Sequence, residues 1–214
     1  WEGLTILLTA PWFPRHVWIT TIEVVLGFVI GSGAGILLAI AMVNLPLFRQ
    51  VIAPYIIAFQ VTPKVVLAPI FITWFGFGIE SKVALAVAMS FFPVVINTVV
   101  GLEAVEENSV LLMRSLVASR RQIFTMLAWP TALPSIFGGL KIALTLALIG
   151  ALVGEFITAK DGLGVLITTF SYELKVYIVF GLVIVISVLA LALYGLMEYL
   201  DRKVVFWRHS NTTM

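Results

Sequence analysis

Residues 103–141, EAVEENSVLLMRSLVASRRQIFTMLAWPTALPSIFGGLK, form a polar island in a chain that is otherwise almost continuously apolar. The island carries Glu103, Glu106, Glu107, Arg114, Arg120 and Arg121. It ends at Trp129-Pro130 and Leu133-Pro134, where the apolar run resumes. The flanking runs are long enough to need hydrocarbon around them, whereas the island needs water. It is therefore read as a charged, helix-forming insert between two membrane spans, exposed to a water-soluble partner and closed by a proline-marked re-entry.

The composition agrees with that division. Hydrophobic residues make up 61% and charged residues 11% of the 214-residue chain, with a mean hydropathy of +1.12. That excludes an ordinary soluble domain and leaves room for about five spans of ~20 residues. The chain has no cysteine, hence no disulfide and no thiolate metal site or nucleophile. The two histidines, His16 and His209, lie near opposite ends of the chain and do not read as a ligand pair. A net charge of +2 with no basic stripe argues against nucleic acid.

The fold expected is an all-α polytopic membrane protein. Residues 1–16 read as an outer interfacial segment with Trp1 and Trp12, broken by Pro11 and Pro14. A single transmembrane domain over 17–200 follows, with spans at about 17–43, 51–75, 81–101, 134–157 and 176–200, a connecting loop at 103–130, and a tail at 201–214. Gly27, Gly31 and Gly35 recur at four-residue spacing, the signature of a smooth helix-packing stripe rather than of a nucleotide loop. The second span holds Pro54, Pro63 and Pro69 with Gln60 and Lys64, so it is expected to be kinked or broken. Irregular backbone at membrane depth is tolerated only against protein or water. Gln60, Lys64, Trp74, Phe91, Asn97, Glu155 and Glu23 are accordingly the candidates for a translocation pathway. For Lys64 the alternative is a lysine reaching to an interface. For Glu155 it is a structural cap, or an ion pair with Lys160 or Lys82.

Basic residues divide unevenly between the two sides. Arg49, Arg114, Arg120, Arg121, Arg202, Lys203 and Arg208 collect on one, and Arg15, Lys82, Lys160 and Lys175 on the other. By the positive-inside rule the richer side, with the 103–130 loop and the C-terminus, is cytoplasmic. No Ser/His/Asp set, metal-ligand spacing or phosphate-binding Gly-Lys-Ser/Thr loop is present, so the chain is not read as an enzyme.

The stretches QVTPKVVLAPIFITWFGFGIESK (60–82), FFPVVINTVVGL (91–102), LLMRSLVASRRQIF, ALPSIFGGLKIA, IGALVGEF and DGLG resemble the membrane permease subunits of binding-protein-dependent ABC importers. The resemblance is to the branch serving nitrate, taurine, sulfonates and pyrimidine-type vitamin precursors, and it covers nearly the whole chain. The family's first span has no counterpart here, so a further segment is expected ahead of residue 1. The family's loop pattern, aligned on Pro130, puts Leu111 where Glu is usual, Met113 at an Ala position and Val117 at the turn glycine. The turn is then expected either to be reshaped or to pass to Ala118-Ser119.

The resemblance implies a type I importer bundle in the bacterial cytoplasmic (inner) membrane. It implies a pore built by two copies of the chain, two cytoplasmic ATPase subunits holding ATP and Mg, and an extracytoplasmic substrate-binding protein. No cofactor or metal would be bound by this chain. Arg114, Ser115, Val117, Ala118, Ser119, Arg120 and Arg121 would contact the ATPase. The loop and IGALVGEF wording look most like permeases for pyrimidine-type thiamine precursors or riboflavin, and acidic Glu23 occupies a position where anion-importing branches often carry Arg. The expected cargo is a small neutral or weakly basic heterocycle; the alternatives are nitrate, taurine or alkylsulfonate, and, in a different class, a secondary transporter or channel.

Overall fold

A computed structural model describes residues 2–158 and 160–207; Trp1, Arg208 and His209 lie outside them. Among the described residues the regular elements are all helical. They are α1 (Glu2–Thr9), α2 (Phe13–Asn44), α3 (Pro46–Val61), α4 (Ala68–Phe75), α5 (Ile79–Glu103), α6 (Glu107–Ser115), α7 (Arg120–Ile123), α8 (Trp129–Thr158), α9 (Leu163–Tyr172) and α10 (Val176–Val204). Four helical stretches are long and apolar enough to cross a membrane. A bent pair, Pro46–Val61 with Lys64–Phe75, makes up to five.

α5 lies at the centre, between α2 and α8. Small residues bring the backbones together. A Cβ on Gly35 of α2 would stand 2.9 Å from the carbonyl oxygen of Phe91, and one on Gly150 of α8 would stand 2.9 Å from the Cα of Ala86. Gly27 and Gly31 meet Ala86, Val87 and Ser90 in the same α2–α5 seam. The shared core there is Val24, Ala86, Leu144, Ala147, Leu148 and Ala151. α10 lies outside α8 and leaves Phe180, Val188 and Leu191 exposed, as a face toward lipid tails requires. α1 packs on α10 through Gly3 and Gly181.

The prolines act unequally. Pro93 is accommodated inside a continuous α5, and Asn97 donates to the Pro93 carbonyl (2.8 Å). Around Pro63 the helix ends instead. Thr62 and Pro63 are extended, and the next helical turn, a 3-10 segment over Lys64–Leu67, opens a stretch lying at 94° to α3. Pro130 differs again. A π turn over Phe124–Ala128 precedes it, so the chain is helical without a break from Arg120 to Ile157. A proline amide cannot close the ordinary ring to the fourth residue before it, and one wider turn absorbs the mismatch. The polar insert therefore does not end in a loop at Pro130: its last third is the start of the α8 rod.

Candidate functional site

The insert leaves the bundle after Glu103, whose carboxylate is held by Arg49 (Nη2–Oε2 2.9 Å). α6 ends in a closed turn in which the amide of Ala118 donates to the carbonyl of Met113 (3.0 Å) and that of Val117 to Arg114 (2.9 Å). This is a Schellman closure, which places one residue in the left-handed region. That residue is Val117, at φ 60°. The turn thus stays at the family's glycine position and is taken up neither by Ala118 nor by Ser119. Ser119 instead caps α7, its hydroxyl accepting from the Gln122 amide (3.3 Å) while its own amide donates to the Gln122 side chain (2.8 Å). The apex is exposed: Val117 is 90% accessible and Leu116 70%, flanked by exposed Arg114, Ser115, Arg120 and Arg121. Ala118 is half-buried.

At the opposite end of the bundle, Glu23 and Glu155 are each 1% exposed. Glu155 accepts from the hydroxyl of Thr20 (2.6 Å) and from the amide of Gly164 (2.5 Å). Thr20 accepts in turn from the amide of Leu163 (2.8 Å). The amide of Gly162 donates to His16 Nδ1 (2.9 Å), and Arg15 pairs with Asp161 (2.9 Å). Together these contacts staple the Asp161–Gly164 turn onto α2 and α8. Gly162, at φ 125°, needs to be glycine there. Lys82 is buried beside the pair and donates to the carbonyls of Phe77 (3.1 Å) and Gly78 (2.9 Å). One oxygen of Glu23 is buried with no hydrogen-bond partner among the described residues, and Glu23 helps line a cleft of about 240 Å³ with Lys82, Lys160 and Asp161.

The seven pathway candidates fall in four places. Glu23 and Glu155 belong to the staple, where Glu155 acts as a cap for α9 beside Lys82. Asn97 sits in the α5–α8 seam against Gly139, and Phe91 packs with Ala39, Met42 and Ile56 of α2 and α3. Gln60, Lys64 and Trp74 line the broken α3–α4 stretch, where Gln60 and Trp74 are exposed. Lys141 bonds Asp201 (2.6 Å) and Glu198 on α10.

Sequence reasoning passed over Thr20, Gly162, Gly164, Phe59 and Phe92. Thr20 precedes Glu23 by one helical turn and so shares its face, a signal that was available. The aromatic pair has no such marker.

A family model described as binding-protein-dependent transport system inner membrane component matches residues 31–206. The formylaminopyrimidine transport permease protein ThiX of Halalkalibacterium halodurans is 34% identical over 95% of this chain and 82% of its own length. The riboflavin transport system permease protein RibX of Chloroflexus aurantiacus is 36% identical over 76% of this chain and 60% of that protein. The taurine transport system permease protein TauC of Escherichia coli is 31% identical over 81% and 63%. Among solved structures, an amino acid ABC transporter superposes with a TM-score of 0.72 at 18% identity, covering 95% of this chain and 97% of that one. The MetNI methionine ABC transporter in an inward-facing form also scores 0.72, at 19% identity, over 90% and 96%.

Proposed function

The chain belongs to the family of binding-protein-dependent transport system inner membrane components, the permease subunits of ABC importers, and from that premise we propose how it assembles and what it carries. Two copies flank the pathway. Two cytoplasmic ATPase subunits, which hold ATP and Mg, seat against the α6–Val117–α7 apex, and an extracytoplasmic binding protein delivers the solute to the opposite end. The apex and the C-terminus face the cytoplasm, in the membrane's positive-inside sense, since Arg49, Arg114, Arg120 and Arg121 gather at that end.

One observation carries the reading: the exposed apex leads into an unbroken helix that runs from Arg120 to Ile157 and packs along the central α5. A push on α7 reaches the core as motion of a rod about 57 Å long, at 1.5 Å per residue. Arg114, Arg120 and Arg121 offer planar forks suited to carboxylates and carbonyls on the ATPase.

The solute proposed is a small organic heterocycle of the pyrimidine-precursor or riboflavin type, supported by the likeness to ThiX and RibX. Likeness to TauC makes taurine or a sulfonate the second reading. The test is a pull-down of the cognate ATPase subunit by Arg114→Glu/Arg120→Glu, with uptake measured alongside. The double variant is expected to reach the membrane and lose the ATPase; full assembly and full uptake would refute the docking assignment.

A further inference from the structure

Lys64 differs from the other lysines within the bundle in what surrounds it. Lys141 meets two carboxylates, and Lys82 caps two carbonyls beside Glu23 and Glu155. Lys64 makes one hydrogen bond, to the carbonyl of Gln60 one turn earlier (3.0 Å), and among the described residues no carboxylate lies within ion-pair distance of it. Its ammonium stands 5.1 Å from the centre of the Phe92 ring. Phe92 stacks in turn with Phe59, the centroids 6.1 Å apart and the planes 20° from parallel.

Depth makes the arrangement consequential. Phe92 is the fourteenth of the 25 residues of α5, about 20 Å along the helix at 1.5 Å per residue, near the middle of the span. At the same level α3 stops, Thr62 and Pro63 run extended, and Gln60, Val61 and Thr62 are exposed. Lipid tails can neither offset an ammonium nor satisfy opened backbone. The open side of this bend therefore faces something polar.

We propose that Gln60, Lys64, Phe59 and Phe92 form a way-station for the carried solute, and that it selects a planar, uncharged ring bearing carbonyl or ring-nitrogen acceptors. The inference rests on the permease reading above and adds the recognition chemistry. Lys64 has two N–H groups free to donate to acceptors on the solute, and the exposed Gln60 side chain can donate through its N–H₂ and accept through its carbonyl. Phe59, half exposed at 52%, offers a ring face for stacking. The ammonium, already drawn to Phe92, donates to the acceptors of such a ring and repels a protonated amine. The weakly basic solute allowed by the sequence is disfavoured here. A sulfonate satisfies the ammonium but leaves the rings unused.

The test uses the full transporter, this chain with its ATPase and binding protein, in liposomes. Uptake of formylaminopyrimidine, riboflavin and taurine is followed. Lys64→Met is expected to lower uptake of the ring compound that is carried by about tenfold, the loss of one interaction of roughly 1.4 kcal/mol, and Lys64→Arg to restore most of it. Phe59→Leu is expected to raise KM for that compound several-fold, with little change in kcat. Lys175→Met, which removes a lysine at the far surface, leaves uptake unchanged. Assembly is scored by co-purification of the ATPase. Should Lys64→Met fail to assemble, Lys64→Arg and the surface substitution Phe59→Leu carry the test. Wild-type uptake by assembled Lys64→Met or Phe59→Leu, or transport of taurine in preference to both rings, overturns the way-station. Failure of the unmodified chain to bind any ATPase would instead overturn the permease assembly itself.

Discussion

Val117 is a β-branched residue where a left-handed backbone favours glycine, at a cost of about 1–2 kcal/mol for an ordinary L-residue. Bonds on both sides offset that cost: the closure of α6 onto Met113 and Arg114, and the Ser119–Gln122 capping box. Leu174 repeats the device after α9, at φ 57°, with Lys175 closing onto Phe170 (2.9 Å). Val117→Pro, with φ fixed near −65°, cannot make the turn. It should leave the membrane body folded, as judged by an unchanged gel-filtration profile, yet abolish ATPase pull-down. Val117→Gly relieves the strain and adds unfolded-state entropy, roughly cancelling terms. It should melt with the parent while binding the ATPase more weakly, because 90% of Val117 is offered to solvent and that apolar contact is lost. The location of this turn was legible from the family's spacing. Its conformation was not, because the bonds that hold it come from residues on either side rather than from Val117 itself.

At the scale of elements, the four-residue glycine repeat is the feature most directly written in the sequence. Helical periodicity puts Gly27, Gly31 and Gly35 on one face whatever the rest of the chain does. That the face meets α5, and that Ser90 closes it by donating to the Gly27 carbonyl (3.2 Å), needed the tertiary structure. Gly33 provides an internal control, for nothing lies within 4 Å of where its Cβ would be. Gly31→Leu forces α2 away from Val87 and Ser90 and should cost about 1–3 kcal/mol or more through overpacking. Gly33→Leu should cost little and behave as the parent in detergent. Equal melting temperatures for the two variants would show that the seam is looser than the contacts imply. Pro130 was less legible. Its position suggested an end to the polar insert, but a helix that widens by one turn can pass a proline, and the consequence is an α7–α8 rod rather than a hinge.

Over the whole molecule, the rod is pinned at two levels. Toward the insert, Lys141 ties α8 to Asp201 and Glu198 of α10; at the other end, Glu155 ties α8 to Thr20 of α2 and to the Gly164 amide at the start of α9. The second tie joins residues 135 positions apart, so the sequence offered a cap as one reading of the anomalous Glu155 charge but could not name Thr20 and Gly164 as what it holds. Its removal can be reasoned through. Glu155→Ala leaves the buried Gly164 amide without an acceptor and opens space beneath Gly162, each unsatisfied buried group costing about 1–3 kcal/mol. Glu155→Gln keeps one carbonyl for Gly164 but turns an N–H₂ toward Thr20, whose hydroxyl then keeps only the longer bond to the His16 carbonyl (3.2 Å), so its effect should be intermediate. The absence of native cysteine lets a single cysteine in place of exposed Lys160, at the edge of the turn, report on it. Its labelling by an aqueous thiol reagent should accelerate in Glu155→Ala, less so in Glu155→Gln, while pull-down of the ATPase at the other end of the rod is kept. Unchanged labelling and melting in Glu155→Ala would mean that Arg15–Asp161 and His16–Gly162 hold the turn by themselves. Glu155 would then be released from the structural role assigned to it and returned to the pathway.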